Sequence, residues 1–127
     1  MIYEHYSEID GWDWQPYFSP AEIACKGTNS LLVNPEALDT LLRARLLADK
    51  PFHILSAYRS PVHNAFIGGA PLSAHKNGSA FDINLRGHNR DKLLEQCRDA
   101  GFGSFGKYRT FLHVDTRKGR NWGSWEY

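Results

Sequence analysis

Two short segments constrain this chain more than any other feature of its sequence. The first runs from Ser73 to Asp82 (SAHKNGSAFD), and the second runs from Phe111 to Asp115 (FLHVD). In the first segment His75 and Asp82 are separated by Gly78, which permits a backbone conformation that a residue with a Cβ atom resists. A loop that enters a strand would therefore let both side chains turn toward one point.

The second segment places an imidazole and a carboxylate on one face of a strand. His113 and Asp115 are two residues apart, so they share a face, while Leu112 and Val114 pack on the other. A charged pair on the inward face of a strand is costly unless another charge compensates it. A divalent metal would do so. Together the two segments offer two imidazoles and two carboxylates, and such a set can hold zinc with three protein ligands. A fourth position left open distinguishes a catalytic site from a structural one.

The bulk composition predicts one compact domain over residues 1–127. The chain is 42% apolar and 13% aromatic, which favours a folded core over disorder. Fifteen basic residues against 14 acidic ones give a net charge of +1, so neither nucleic acid nor an anionic membrane is indicated as a partner. No apolar run approaches the roughly 20 residues that span a bilayer. We expect a monomer.

The two cysteines and the N-terminal residues bear on the cellular compartment. Residues 1–10 are acidic and contain no apolar stretch typical of a secretory signal, so we expect synthesis in the cytoplasm. Cys25 and Cys97 form no Cys-x-x-Cys motif. Two buried free thiols are favoured over a disulfide in that setting.

Helix signals dominate the first half of the chain and strand signals the second, which predicts an α+β fold with a small antiparallel sheet. Helix starts are indicated by Ser-Pro and Asn-Pro pairs, and Gly101 is a natural helix end. The predicted helices are Pro20 to about Cys25, Pro35 to about Ala48, Pro61 to before Gly68, and Asp91–Ala100. The predicted strands are Phe52–Leu55, Ala80–Leu85, Phe105–Tyr108 and Phe111–Asp115, the last two as a hairpin.

The pattern Ser73-x-His75-x-x-Gly78-x-Ala80-x-Asp82 resembles the signature of the zinc D-Ala-D-Ala carboxypeptidase family. That family belongs to a superfamily with the lysostaphin-type peptidases and the hedgehog signalling domain. The resemblance extends from about Tyr17 to Trp122. It includes Ser56-Ala57-Tyr58-Arg59-Ser60, Asn64 followed by Gly68-Gly69-Ala70, Gly101-Phe102-Gly103-x-x-Gly106-x-Tyr108, and Phe111-Leu112-His113-Val114-Asp115.

The resemblance implies that His75, Asp82 and His113 bind one zinc ion per chain, above a small sheet of the hedgehog/DD-peptidase type. It implies a metallopeptidase that cleaves an amide bond in the peptide stem or cross-link of peptidoglycan. Such an enzyme would act on the cell wall, and the apparent lack of a signal suggests a phage or prophage product such as an endolysin.

The last strand departs from the family pattern. Several relatives carry His-x-His there, and others carry an acid three residues before the metal-binding His, where this chain has Thr110. Two assignments follow. In the preferred one His113 is the ligand and Asp115 is the general base that passes a proton to the leaving amine. In the other, Asp115 is the ligand and His113 acts on the substrate.

Three further residues are candidates for contact with the substrate. Arg59 would hold a substrate carboxylate or steady the oxyanion, as suits a planar, permanently charged donor, and a surface ion pair is the alternative. Tyr58 is expected in the core or in a pocket wall. Ser73 would either bind the substrate or hold its own loop, and the loop role is favoured.

Rival functions remain open from the sequence. A non-catalytic zinc-containing domain is one alternative, and a wall-binding module without turnover is another. Within the enzyme interpretation, carboxypeptidase and endopeptidase actions share the same metal core. The C-terminal residues from Arg117 to Tyr127 are basic and aromatic, so Trp122 and Trp125 would contact wall glycan or pack on the domain edge.

Overall fold

The structure is a computed structural model that describes residues 1–118 and the strand at 124–126. It has seven strands and four helices among these residues, with short 3-10 turns at Tyr6–Glu8 and Ala74–Asn77. The strands are β1 (Ile2–Tyr3), β2 (Leu31–Leu32), β3 (Ile54–Ser56), β4 (Ala80–Asn84), β5 (Ser104–Lys107), β6 (Phe111–Asp115) and β7 (Ser124–Glu126). The helices are α1 (Pro20–Ile23), α2 (Pro35–Ala48), α3 (Pro61–Phe66) and α4 (Arg90–Ala100).

Each helix begins where a polar side chain accepts a hydrogen bond from its first turn. Ser19 and Glu22 form a reciprocal capping box at α1, and Asn34 accepts from the N–H of Ala37 at α2. Such caps satisfy backbone donors that have no partner within the helix. Proline occupies the first position of α1, α2 and α3, where its missing N–H costs nothing. The predicted helices are confirmed, and α2 has the bounds expected for it.

A five-stranded sheet with the order β3-β4-β6-β5-β7 carries the later half of the chain. The predicted hairpin of β5 and β6 is confirmed, and the α+β class with it. The edge strand β7 was not predicted, and it pairs parallel to β5. The two-residue pairing of β1 with β2 was not predicted. Trp122 lies outside the described residues, as does the side chain of Trp125.

The two faces of the central strands separate the core from the polar site. Phe81 and Ile83 of β4 and Leu112 and Val114 of β6 are fully buried and form one apolar cluster with residues of α2 and α4. Burying each such side chain contributes about 1.5–3 kcal/mol. If β4 slipped by one residue against its neighbours, its apolar side chains would move from the core to the polar face. Burial of these side chains therefore fixes the register of the strand. Asp82 is thereby held on the opposite face.

Two further findings concern the cysteines and the helices. Cys25 and Cys97 are both free and buried, as predicted. None of the helices in the part of the chain that the structure describes has the length and apolarity needed to cross a membrane.

Candidate metal centre

His75 lies on the 3-10 turn that leads into β4. The hydroxyl of Ser73 accepts the N–H of His75 at 3.2 Å, so the loop role favoured for Ser73 is present. Gly78 ends the turn at φ 68, a left-handed conformation that suits glycine, and a Cβ there would lie 3.3 Å from the carbonyl oxygen of Leu32. The Nδ1–H of His75 donates to the carbonyl of Ala57 at 2.7 Å. Since a carbonyl only accepts, Nδ1 carries the proton and Nε2 is the nitrogen of this ring that could bind a metal.

Asp82 and His113 face each other across β4 and β6, where they are direct partners in the sheet register. Nδ1 of His113 lies 2.9 Å from Oδ1 of Asp82, and Nε2 of His75 lies 3.3 Å from the same oxygen. The two imidazole centroids are 5.2 Å apart. Two distant segments therefore converge, as the motif spacing predicted.

This donor set fits zinc. One atom from each of the three side chains lies within 4.8 Å of the others, and ligands about 3.3 Å apart are expected around a tetrahedral ion with bonds near 2.0–2.1 Å. Two imidazole nitrogens and a carboxylate oxygen are donors that zinc accepts in catalytic sites. Asp82 and His113 are 9% exposed and His75 is 3% exposed, so the cluster meets solvent on one side only.

The electrostatics of the cluster favour a cation. Burial opposes ionisation of Asp82, but hydrogen bonds and charge interactions with His113 and His75 hold its pKa well below the usual range. Burial lowers the pKa of His113, yet the neighbouring carboxylates of Asp115 and Asp82 outweigh it and raise the pKa overall. Anionic surroundings that favour a proton on His113 also favour a divalent metal.

Asp115 contacts His113 at Nε2, whereas Asp82 contacts the same ring at Nδ1. Oδ2 of Asp115 is 2.8 Å from Nε2 of His113, which confirms that the two side chains share a face. The carboxylate is 0% exposed and also receives the guanidinium of Arg117 at 2.7 Å. A general base must reach the water that it deprotonates. The base role expected for Asp115 is not supported by this position.

The ligand cluster forms part of the lining of an open cavity of about 420 Å³. Its polar side includes Arg59, Ser73 and Arg117, and its apolar side includes Leu72, Tyr108 and Phe111. The rings of Tyr108 and Phe111 stack with centroids 4.3 Å apart. A larger cavity of about 480 Å³ beside α2 has none of the metal-binding residues in its lining. The first cavity is therefore the candidate active-site cleft.

Arg59 is held in the cleft by three contacts. Its Nη1 donates to Oδ1 of Asn64 at 3.0 Å, its Nη2 to the hydroxyl of Ser56 at 3.4 Å, and its backbone N–H to the carbonyl of His75 at 3.0 Å. Asn64 in turn donates to the carbonyl of Ala70 at 2.9 Å. A Cβ at Gly69 would lie 2.2 Å from the Asn64 oxygen, so glycine leaves the space that Asn64 needs. The resemblance contained these residues but gave no role to Asn64 or Gly69.

Tyr58 does not reach the cleft. It is 3% exposed and absent from the cavity lining, while its backbone N–H donates to the carbonyl of Ile23. Its expected place in the core is correct, and a role in binding substrate is not supported. Sequence reasoning missed Arg117, Tyr108 and Phe111 as cleft residues. A basic residue two positions after Asp115 was the available signal for Arg117.

Comparison with known proteins agrees with this geometry. The sequence profile described as Peptidase M15 matches residues 16–115. No curated protein matches the chain significantly. The matched region includes His75, Asp82 and His113, as well as Arg59 and Asp115. Because the profile covers most of the chain, the protein belongs to the peptidase M15 family of zinc-dependent, D-Ala-D-Ala carboxypeptidase-like enzymes.

Proposed function

We propose that this chain is a zinc peptidase that hydrolyses an amide bond in the peptide stem or cross-link of peptidoglycan. The observation that carries the proposal is the convergence of His75, Asp82 and His113 in a cleft that also contains Arg59. Family membership supports the peptidase chemistry. The peptidoglycan substrate rests on the resemblance to carboxypeptidases of the cell wall.

The metal would be held by Nε2 of His75, a carboxylate oxygen of Asp82 and Nδ1 of His113. A zinc ion held there would supply Lewis-acid chemistry, that is, polarisation of the scissile carbonyl and activation of water. Ala57 accepts the Nδ1–H of His75 and so keeps Nε2 directed at the site.

Arg59 would orient the substrate through its carboxylate or stabilise the developing oxyanion. Asn64 and Ser56 fix the plane of the guanidinium, because each accepts a hydrogen bond from one of its terminal nitrogens. A planar cation that is fixed in this way can present its remaining N–H groups in a set direction. Leu72, Tyr108 and Phe111 add an apolar wall that suits the methyl groups of alanine residues.

The test combines metal analysis with digestion of purified sacculi. We expect one zinc per chain, release of peptide or amino acid detected by mass spectrometry, and loss of that release with a chelator. The masses of the products distinguish removal of a terminal D-Ala from cleavage within a stem or cross-link. A zinc-loaded protein that releases nothing from sacculi of several cross-link types would contradict peptidase action on this substrate.

A non-catalytic, zinc-containing domain that binds the cell wall is the second candidate. One observation favours it: among the described residues that line the cleft, Asp82 is the only carboxylate, so no second acid stands ready as a base. Sedimentation with sacculi measures binding separately from hydrolysis. Binding that depends on zinc and proceeds without product would establish this second function.

A further inference from the structure

We propose that the buried Asp115 and the partly exposed Arg117 form an ion pair that positions His113 and selects its Nδ1 as the metal-binding atom. This inference rests on the proposed metal site and deepens it. It also assigns Asp115 a role other than the general base of the reaction. Asp115 acts on the metal through His113.

The first step of the argument is that the acceptor positions of Asp115 are occupied. Oδ2 lies 2.8 Å from Nε2 of His113 and accepts from Nη2 of Arg117 at 2.7 Å. Oδ1 accepts from the backbone N–H and from Nε of Arg117, each at 3.0 Å. A carboxylate has about four acceptor sites, so these contacts fill them. With 0% of its surface exposed, Asp115 has no acceptor directed toward a water in the cleft.

The second step is the effect on the imidazole. An ionised carboxylate only accepts, so Nε2 of His113 must carry the proton that lies between them. A neutral ring with a proton on Nε2 has its lone pair on Nδ1, and Nδ1 is the atom that lies 2.9 Å from Asp82. Hydrogen bonds of this kind fix the orientation and tautomer of metal-binding histidines. The two histidines therefore offer different nitrogens, Nε2 from His75 and Nδ1 from His113.

The third step is the placement of Arg117. A buried carboxylate is costly without a partner, and the two-point contact with the guanidinium compensates the charge of Asp115. The backbone also holds this segment, since the N–H of Gly103 donates to the carbonyl of Asp115 at 3.0 Å. A Cβ at Gly103 would lie 2.5 Å from the carbonyl oxygen of Arg117, so glycine permits the close approach of the two segments.

Asp115→Asn tests the pair because an amide cannot accept at both ends. If the NH₂ takes the place of Oδ1, it faces the backbone N–H and the Nε–H of Arg117, which are also donors. If it takes the place of Oδ2, it faces Nε2 of His113 and drives the ring proton to Nδ1. We expect zinc affinity, measured by competition with a chromophoric chelator, to fall about 10- to 100-fold. The visible spectrum of the cobalt-substituted protein should change as well. Asp99→Asn, at an exposed position of α4, is the matched control and should leave both readouts unchanged.

Arg117→Lys separates charge from geometry, since lysine keeps the charge but loses the two-point contact. We expect a smaller loss of zinc affinity than in Asp115→Asn. If both variants bind zinc and cobalt as the wild type does, the inference is wrong. Retained metal with lost turnover in Asp115→Asn would restore the base role.

A measurement on the unaltered protein covers the case in which the variants fail to fold. Long-range ¹H–¹⁵N spectra of the zinc-loaded chain report which ring nitrogen of His113 carries a proton. We expect a protonated Nε2 and a metal-shifted Nδ1. The opposite pattern would overturn this inference and leave the proposed function intact. A wild-type chain that takes up no zinc at all would overturn both.

Discussion

Each imidazole of the metal centre is oriented by an acceptor on its far side. The carbonyl of Ala57 receives Nδ1–H of His75, and the carboxylate of Asp115 lies against Nε2 of His113. The residue types of these candidate ligands follow from the motif that resembles the family signature, and histidine and aspartate are donors that zinc accepts in catalytic sites. Which nitrogen faces the metal does not follow, because Ala57 reaches His75 only through tertiary packing.

Arg59→Lys should reduce the catalytic efficiency without affecting the metal. Lysine retains the charge but loses the planar fork that Asn64 and Ser56 hold in place. We expect kcat/KM on the substrate identified from sacculi to fall about tenfold or more, equivalent to roughly 1.4 kcal/mol. Zinc content should stay the same. An efficiency equal to that of the control Arg86→Lys, an exposed position, would argue against a substrate role for Arg59.

Ser104→Ala tests a buried hydroxyl that lies opposite Asp115 in the sheet register. Its Oγ is fully buried and has no hydrogen-bond partner among the described residues. Removing an unpaired buried hydroxyl is nearly neutral or stabilising. In urea unfolding we expect no loss of stability.

Ser79→Ala is the matched control for Ser104→Ala, because the buried Ser79 hydroxyl donates to the carbonyl of Ala74 at 3.1 Å. Its loss should lower the free energy of unfolding by about 1 kcal/mol. Equal destabilisation by the two substitutions would show that the Ser104 hydroxyl has a favourable partner in the folded protein.

At the scale of the elements, the sequence predicts those helices and strands whose signals lie within the element or next to it. The bounds of α2 follow from Asn34, Pro35 and the leucine spacing, all within the helix or next to it. The pairing of β7 beside β5 is a contact between distant parts of the chain, and its parallel direction has no local signature. The pairing of β1 with β2 was missed for the same reason, since each strand has only two residues.

Gly69→Ala should disturb Arg59, because the added Cβ would crowd the amide of Asn64 and would also lie 3.1 Å from Nη1 of Arg59. The new Cβ would lie 2.2 Å from the oxygen of Asn64 and would displace the amide that fixes the guanidinium. We expect a fall of several-fold in kcat/KM with unchanged zinc affinity. The measurement is kcat/KM on the same substrate that is used for Arg59→Lys.

A double-mutant cycle shows whether Gly69 acts through Asn64. In Asn64→Ala the clash is relieved, so adding Gly69→Ala should cost little more. If the effects of Gly69→Ala and Asn64→Ala on kcat/KM simply add, Gly69 does not act through Asn64. Additive effects would show that Gly69 serves the cleft independently of the amide.

At the scale of the whole molecule, the candidate metal site combines side chains from three elements of the fold. His75 comes from the turn before β4, Asp82 from β4 and His113 from β6. The motif spacing predicted this convergence, because both strands alternate between core and site faces. The apolar wall and the Asn64 support did not follow from the sequence, since they depend on how the loops pack over the sheet.

Zinc should therefore stabilise the folded chain as a whole. A ligand that binds only the native state adds RT ln(1 + [L]/Kd), which is about 2.7 kcal/mol at one hundred times Kd. For a domain of this size that corresponds to a rise in Tm of about 10 °C. Differential scanning calorimetry with and without chelator measures it. His75→Ala should lose most of the rise, because one of three ligands is gone, whereas His53→Ala, at an exposed position, should keep it. A His75→Ala protein that shows the full rise would mean that zinc binds elsewhere on the chain.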